Sequence, residues 1–447
     1  MLQKPILTFI FLVLFISAKA QNLEHFIFKD YIKRGNHNPV IPGYFADPSL
    51  VKMDGKYFIY ATTVSKYMEP VVWISENLTD WEVQHLGITG KHLFWAPTML
   101  KGKDGKYYLY YSSGYDFHCH LMIGETPTGP WEDFGKVEEG FDMQIFEDPV
   151  DGKVYGISSD PKSRPRLVLF DSNPRSATYL TKVEKEASPE GPFFDYREGS
   201  MIFYRDGLYY MLYSGGGCSN DNYKVRYSYS KNIWGPYEDG GIVLNKFPEG
   251  GIFGPGHNSV FNIGNDYFIV YHRADLYSRP SCDKRQVCIN QLAFDNDGML
   301  KEIKPDNDGI DFIAEYDLQK SDLVNLALDG DATAPENKVG FDPVYAIDGN
   351  YATRWEGAKW FSVDLKEVKE IEAIQPRFTH YDYYNLYQIL YSNDNVNWKV
   401  YADHTKEAMK ASAPVNQSTI KVRYVKIDFK SGPGAASLFE LEILGPK

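Results

Sequence analysis

Three carboxylates and a histidine head short apolar runs along this chain: Asp47 in FADPSL, Asp142 in FDMQIF, Glu198 in REGSMIF and His257 in GHNSVF. Two carboxyls of different proton affinity can divide a hydrolysis between them. The protonated one donates to a departing oxygen, and the ionised one activates water or attacks carbon, as cleavage of an acetal between sugars demands. A third charge nearby separates the two affinities. Any one of these acids alone reads as a strand-end carboxylate capping a turn. Three at matching places in a repeat, with a histidine, read as a site.

The repeat that must position them occurs five times: FADPSLVKMDGKYFIYATT, FWAPTMLKGKDGKYYLYYSS, FDMQIFEDPVDGKVYGISS, REGSMIFYRDGLYYMLYSGG and GHNSVFNIGNDYFIVYHRAD. Its turn glycines, Gly55, Gly105, Gly152, Gly207 and Gly264, are spaced by 50, 47, 55 and 57 residues. Short strands and tight turns at such a period predict propeller blades. Outer strands follow, as in VVWIS running on to Trp81 and VRYS leading to Tyr237, which makes four strands per repeat. Radial closure then brings Asp47, Trp95, Asp142, Glu198 and His257 to one central channel. The loops 114–120, 215–222 and 273–285 fall at the same end and are expected to rim a pocket.

With 447 residues, 34 Tyr, 27 Phe and 8 Trp, the chain is long enough for two domains and rich in strand-forming side chains. A net charge of −13 argues against a nucleic-acid partner. Lys4 precedes an apolar run from Ile6 to Ser17, shorter than the roughly 20 residues of a membrane span. With Ala18 and Ala20 it predicts a leader cleaved before Gln21, export, and no membrane insertion. Export permits disulfides. Cys282 and Cys288 are close enough to staple a loop, with Cys119 and Cys218 as buried thiols, although four cysteines allow three pairings. After Asp317 the blade period is lost. Short alternating strands such as KWFSVDL and RYVKIDF then predict a separate β-sandwich. The expected organisation is all-β: a leader (1–20), a five-bladed propeller (21–314), a linker (315–322) and a jelly-roll sandwich (323–447).

From about residue 30 to 314 the chain resembles glycoside hydrolase family 43, whose members are five-bladed propellers acting by inversion. The resemblance implies that Asp47, in Asp47-Pro48-Ser49, is the general base. It implies that Asp142 is the orienting, pKa-tuning acid, and that Glu198, nine residues before Gly207, is the general acid. Glu190 in SPEGPFF is a rival acid, less favoured because it would lie on the loop before the strand. His257 resembles a channel histidine that holds a calcium ion through water, and Arg285 in KRQVCIN resembles an arginine that contacts the sugar. Phe45 and Trp95 are candidate stacking faces for a sugar ring.

The second domain resembles a discoidin-like (coagulation factor 5/8 type C) sandwich of the kind found in family 32 carbohydrate-binding modules. The matching text is AIDGNYATRW, WFSVDL, YSNDNVNW, RYVKI and FELEILG. It implies structural calcium held by Asp348, Thr353 and Glu440; the family's sugar-contact loops vary too much to transfer, and Tyr381, Tyr383 and Tyr384 are candidate sugar contacts on their aromatic character alone. The bland alternative is that Asp348 only shapes the turn at Gly349. No cofactor is expected for the chemistry itself. The resulting expectation is an exported glycosidase that removes terminal α-L-arabinofuranosyl or β-D-xylosyl units from plant-type polysaccharides or oligosaccharides. A galactan-directed β-galactosidase and a non-catalytic, lectin-like glycan binder are the alternatives; a propeller serving only as a protein platform would not need the three carboxylates.

Overall fold

In the computed structural model the described residues are 35, 37–63, 69–90, 93–278, 280–310, 322–379, 384–410, 415–431 and 436–447. The leader, most of the linker, Tyr381 and Tyr383 lie outside them, as does the side chain of Tyr384.

Blade one is the meander β1 (Ala46–Met53), β2 (Lys56–Thr62), β3 (Val71–Ser75) and β4 (Glu82–His85). Blade two is β5 (Phe94–Lys101), β6 (Tyr107–Ser113), β7 (Cys119–Gly124) and β8 (Trp131–Glu138). Blade three is β9 (Phe141–Glu147), β10 (Val154–Ser159), β11 (Pro165–Phe170) and β12 (Val183–Ala187). Blade four is β13 (Tyr196–Arg205), β14 (Leu208–Gly215), β15 (Lys224–Ser230) and β16 (Glu238–Leu244).

Blade five departs from the expected four strands: β17 (Gly256–Ile263), β18 (Asp266–Ala274) and β19 (Arg285–Gln291) form a sheet of three. The N-terminal segment covers its edge. Val40 N–H donates to Val287 O at 2.9 Å. The Asn38 side chain donates to Ile289 O (3.0 Å) and accepts from Ile289 N–H (2.9 Å). An amide side chain thus stands in for a strand backbone and closes the ring.

The alternation of aromatic and aliphatic residues in each second strand follows from this architecture, because a blade is buried on both faces. In β2, Tyr57 and Ile59 pack toward blade five, and Phe58 and Tyr60 toward blade two. In β6, Tyr107, Leu109 and Tyr111 face blade one, and Tyr108 and Tyr110 face blade three. Two further clusters fill the remaining interfaces, so a separate core lies between every pair of neighbouring blades. Burial of that apolar and aromatic surface is what stabilises the ring.

The sandwich strands run between Leu323 and Pro446, with Trp355, Phe361, Tyr387, Ile427 and Leu441 in a core of their own. The only helical elements among the described residues are three 3-10 turns. The disulfide differs from the expected one. Cys218 pairs with Cys282, their Cα atoms 5.2 Å apart. Cys288 lies mid-strand in β19 with its side chain in the core between blades four and five, so it cannot turn back to the loop.

Candidate active site

Every inner strand opens with a β-bulge, two residues on the inner strand facing one on its neighbour. The first bulged residues are Asp47, Ala96, Asp142, Gly199 and His257, all left-handed, with φ of 51°, 41°, 55°, 64° and 42°. Non-glycine residues rarely hold such values unless their surroundings enforce them, at a cost of order 1–3 kcal/mol each. The enforcement comes from the neighbouring blade. Ala96 N–H donates to Thr62 Oγ1 (2.8 Å), Asp142 N–H to Ser112 Oγ (2.6 Å), His257 N–H to Ser214 Oγ (2.7 Å) and Asp47 N–H to His272 Nδ1 (3.1 Å).

This ladder corrects the expected register. Asp47, Asp142 and His257 are structurally equivalent, whereas Glu198 and Trp95 stand one residue earlier, level with Ala46, Phe141 and Gly256. Counting back from the turn glycines misses the offset because the inner strands differ in length.

Asp47 is buried against the Arg285 guanidinium and several hydrogen-bond donors. Arg285 Nη1 donates to its Oδ1 at 2.7 Å and Nη2 approaches Oδ2 at 3.4 Å, while Thr62 Oγ1 donates to Oδ2 at 2.6 Å. His257 Nδ1 lies 3.2 Å from Oδ1. Burial alone would raise the proton affinity of Asp47, but Arg285 and His257 overcome it and hold the carboxyl well below the usual aspartate range. His272 is pulled down to about 3 by burial and by Arg285, so it is neutral and its Nδ1 serves as acceptor for the Asp47 amide.

Asp142 meets the reverse. Burial, then the charges of Glu198 and Asp47, push its carboxyl well above the ordinary 3.8. Its nearest cationic candidate, His257 Nδ1, is 3.7 Å away and is itself lowered by burial. Glu198 accepts a hydrogen bond from Tyr223 (3.0 Å) and has Arg197 Nε at 3.7 Å. Tyr223 is fully buried, and its ring stacks on His272 with centroids 5.6 Å apart.

The remaining candidates separate. Phe45 is fully buried and packs edge-on against Trp73 (5.7 Å), so it offers no face to a sugar. Trp95 is half-buried beside the exposed Phe117 of the loop after β6 (5.6 Å). Arg285 is a buried partner of the proposed base. Glu190 is exposed on the loop before β13, where its carbonyl accepts from Tyr237 N–H at the blade's outer edge.

Thr62, His272 and Tyr223 were missed by sequence reasoning. The one available signal was the polar residue that ends a second strand, as in YHRAD. In the sandwich, Thr353 Oγ1 donates to Asp348 Oδ2 (2.8 Å), and Gly349 N–H donates to Glu440 Oε1 (3.2 Å). Asp348, Thr353 and Glu440 are therefore neighbours, and an all-oxygen set suits calcium in chemistry. Among the described residues no group of three or more His, Cys, Asp or Glu side chains is arranged to hold a metal directly. His257 Nε2 is buried without a hydrogen-bond partner, which fits a channel water, the form in which that histidine would support an ion.

The family model described as Glycosyl hydrolases family 43 matches residues 36–300. The chain belongs to that family. The F5/8 type C domain matches residues 331–441. Among curated relatives of this family-43 chain, the Beta-D-galactofuranosidase xynD of Aspergillus niger is 28% identical over 61% of the chain and 86% of that protein. The Xylosidase/arabinosidase 43B of Humicola insolens is 25% identical over 57% of the chain, which spans 51% of that relative. A solved structure of a "Glycoside hydrolase" superposes with a TM-score of 0.76 at 24% identity, covering 92% of this chain and all of that one, which supports the fold. The family-43 assignment makes the protein a glycoside hydrolase with a carbohydrate substrate. Among the described residues no helix is long and apolar enough to cross a membrane.

Proposed function

We propose that the protein is an exported, inverting exo-glycosidase that removes terminal α-L-arabinofuranosyl or β-D-xylosyl units from plant-type polysaccharides or oligosaccharides. The observation that carries the reaction is the opposed electrostatics of one channel, an Asp47 held ionised by the Arg285 guanidinium and an Asp142 whose proton affinity is raised beside Glu198. Asp47 is the general base that deprotonates the attacking water. Glu198 is the general acid, since it is the less buried of its pair, its side chain 18% exposed against 11% for Asp142. The proton that this carboxyl pair retains is the one Glu198 delivers to the leaving oxygen, and Asp142 orients Glu198 for that transfer. The sugar choice is supported by relatives named for xylosidase and arabinosidase activity.

A furanose variant is favoured by the similarity to a protein named for β-D-galactofuranosidase activity. The chemistry needs the carboxyls alone. Calcium, where bound, supplies structural charge at Asp348, Thr353 and Glu440 and, through water, at His257. The leader before Gln21 carries the proposal of export.

A panel of nitrophenyl α-L-arabinofuranoside, β-D-xyloside, β-D-galactoside and β-D-galactofuranoside tests the substrate, with NMR of the first-formed anomer testing inversion. Turnover of the arabinofuranoside or xyloside with an inverted product is expected. No turnover of any of them, with glycan binding retained, would leave the lectin reading; a retained anomer would remove Asp47 as base.

A further inference from the structure

The loop between β18 and β19 is held from both domains. At its start, Asp275 has a fully buried side chain that accepts from Arg354 Nη1 of the sandwich at 3.0 and 3.3 Å. Asp275 N–H also donates to Lys284 O (2.8 Å), which ties the start of the loop to the residue before Arg285. At its end, Arg285 donates from Nε to Cys282 O (2.9 Å) and from Nη1 to the proposed base Asp47 (2.7 Å).

Cys282 is bonded to Cys218 in the loop after β14. That second loop ends at Tyr223, whose hydroxyl reaches the proposed acid Glu198. One covalent link thus joins the segments that carry a partner of each proposed catalytic carboxylate.

The sandwich grips this assembly with a built contact rather than a tether. The Arg354 guanidinium lies over the rings of Tyr277 (4.7 Å), Phe341 (4.9 Å) and Phe439 (6.0 Å), and its Nε donates to Glu356 at 2.8 Å. Immediately after Arg285, Gln286 donates to Tyr351 O of the sandwich at 2.9 Å.

We propose that Arg354 is a positioning residue for the hydrolysis, so that the sandwich holds Arg285 against Asp47 through Asp275. The physical cause is that a buried carboxylate cannot stay dry without its partner. Removing the guanidinium therefore obliges Asp275 to move toward water, and Lys284 and Arg285 move with it. The proposal rests on the family-43 reaction assigned to Asp47.

The test uses the full chain. Arg354→Met is expected to lower kcat about tenfold to a hundredfold on whichever nitrophenyl glycoside the wild type cleaves, with KM changed less than about threefold, because small misplacements of catalytic groups cost that much. Hydrogen exchange should rise in the peptide spanning 275–285. Arg354→Lys, which keeps a charge beside Asp275, should recover part of kcat and serves if the methionine variant does not fold.

Arg423→Met removes a different sandwich ion pair, with Asp364 at 2.8 and 2.9 Å, and should leave kcat intact. A kcat within about twofold of wild type in Arg354→Met, or an equal loss in Arg423→Met, would overturn the proposal. Should the wild type cleave none of the panel, the reaction assignment fails. Hydrogen exchange then decides the clamp alone, and unchanged protection of 275–285 in Arg354→Met would reject it.

Discussion

Asp47 and Asp142 occupy the same bulge position two blades apart, with φ of 51° and 55° and nearly equal burial, yet they meet opposite surroundings. Asp47 is contacted by Arg285, His257 and Thr62, groups contributed by blade five and by its own second strand. Asp142 faces Glu198 and Asp47, and its amide is held by a neutral serine. Identical backbone geometry therefore produces two different acids. The scaffold decides where a carboxyl points; the loops and neighbouring blades decide whether it holds a proton.

The largest effects should come from deleting the two ends of that contrast. Asp47→Ala is expected to lower kcat/KM by about three to four orders of magnitude on every substrate, near the upper range for general base catalysis. Glu198→Ala should cost as much on an oligosaccharide but far less on a nitrophenyl glycoside, whose leaving group departs without a proton. Steady-state rates on both substrate types test the assignment, and equal losses in Glu198→Ala would exchange its role with a group that does not donate.

Asp142→Asn sharpens the comparison through stability as well as rate. The folded-state proton affinity of Asp142 lies above that of an unfolded aspartate, so its contribution to folding is whole below about pH 4 and is lost as pH rises through the raised value. At neutral pH the fold bears a buried carboxyl that prefers its proton, and an amide removes that burden. The variant should melt higher than wild type at pH 7–8 and lose about a hundredfold in kcat. A lower melting temperature at neutral pH would contradict the sign.

Arg285→Gln acts on the other corner and in the other direction. Without the guanidinium, Asp47 regains proton affinity, and the acidic limb of kcat/KM should move to higher pH, costing about tenfold near pH 5 and less near neutrality. An unmoved limb would mean that Arg285 serves the sugar instead.

Much of this arrangement was legible in the residue order, and the limits are physical. Asp47, Asp142 and His257 stood out because a polar residue heads an otherwise apolar inner strand, and aromatic alternation in YFIYAT and YYLYYSS betrayed blades buried on both faces. The one-residue offset of Glu198 and Trp95 was hidden because a bulge leaves no mark in composition. Phe45 beside the base looked like a stacking face, but which side of the strand it takes is set by packing against Trp73. The pairing of Arg285 with Asp47 across 238 residues, and of Cys218 with Cys282, depends on ring closure, which adjacency in sequence does not report.

The smallest test is a matched pair of hydroxyl deletions. Thr62 donates to Asp47 at 2.6 Å and Tyr223 donates to Glu198 at 3.0 Å, so each corner rests partly on one neutral donor. A hydrogen bond to a charged group contributes about 1.5–3 kcal/mol, part of which a water can replace at an open site. Tyr223→Phe should therefore lower kcat about fivefold and leave the acidic limb, set by Asp47, where it is. Thr62→Val should shift the acidic limb upward instead, and should cost more, since the same hydroxyl also receives the Ala96 amide at 2.8 Å. If both variants move the same limb of the pH profile, the two corners are not electrostatically separate, and the division of labour between Asp47 and Glu198 would have to be redrawn.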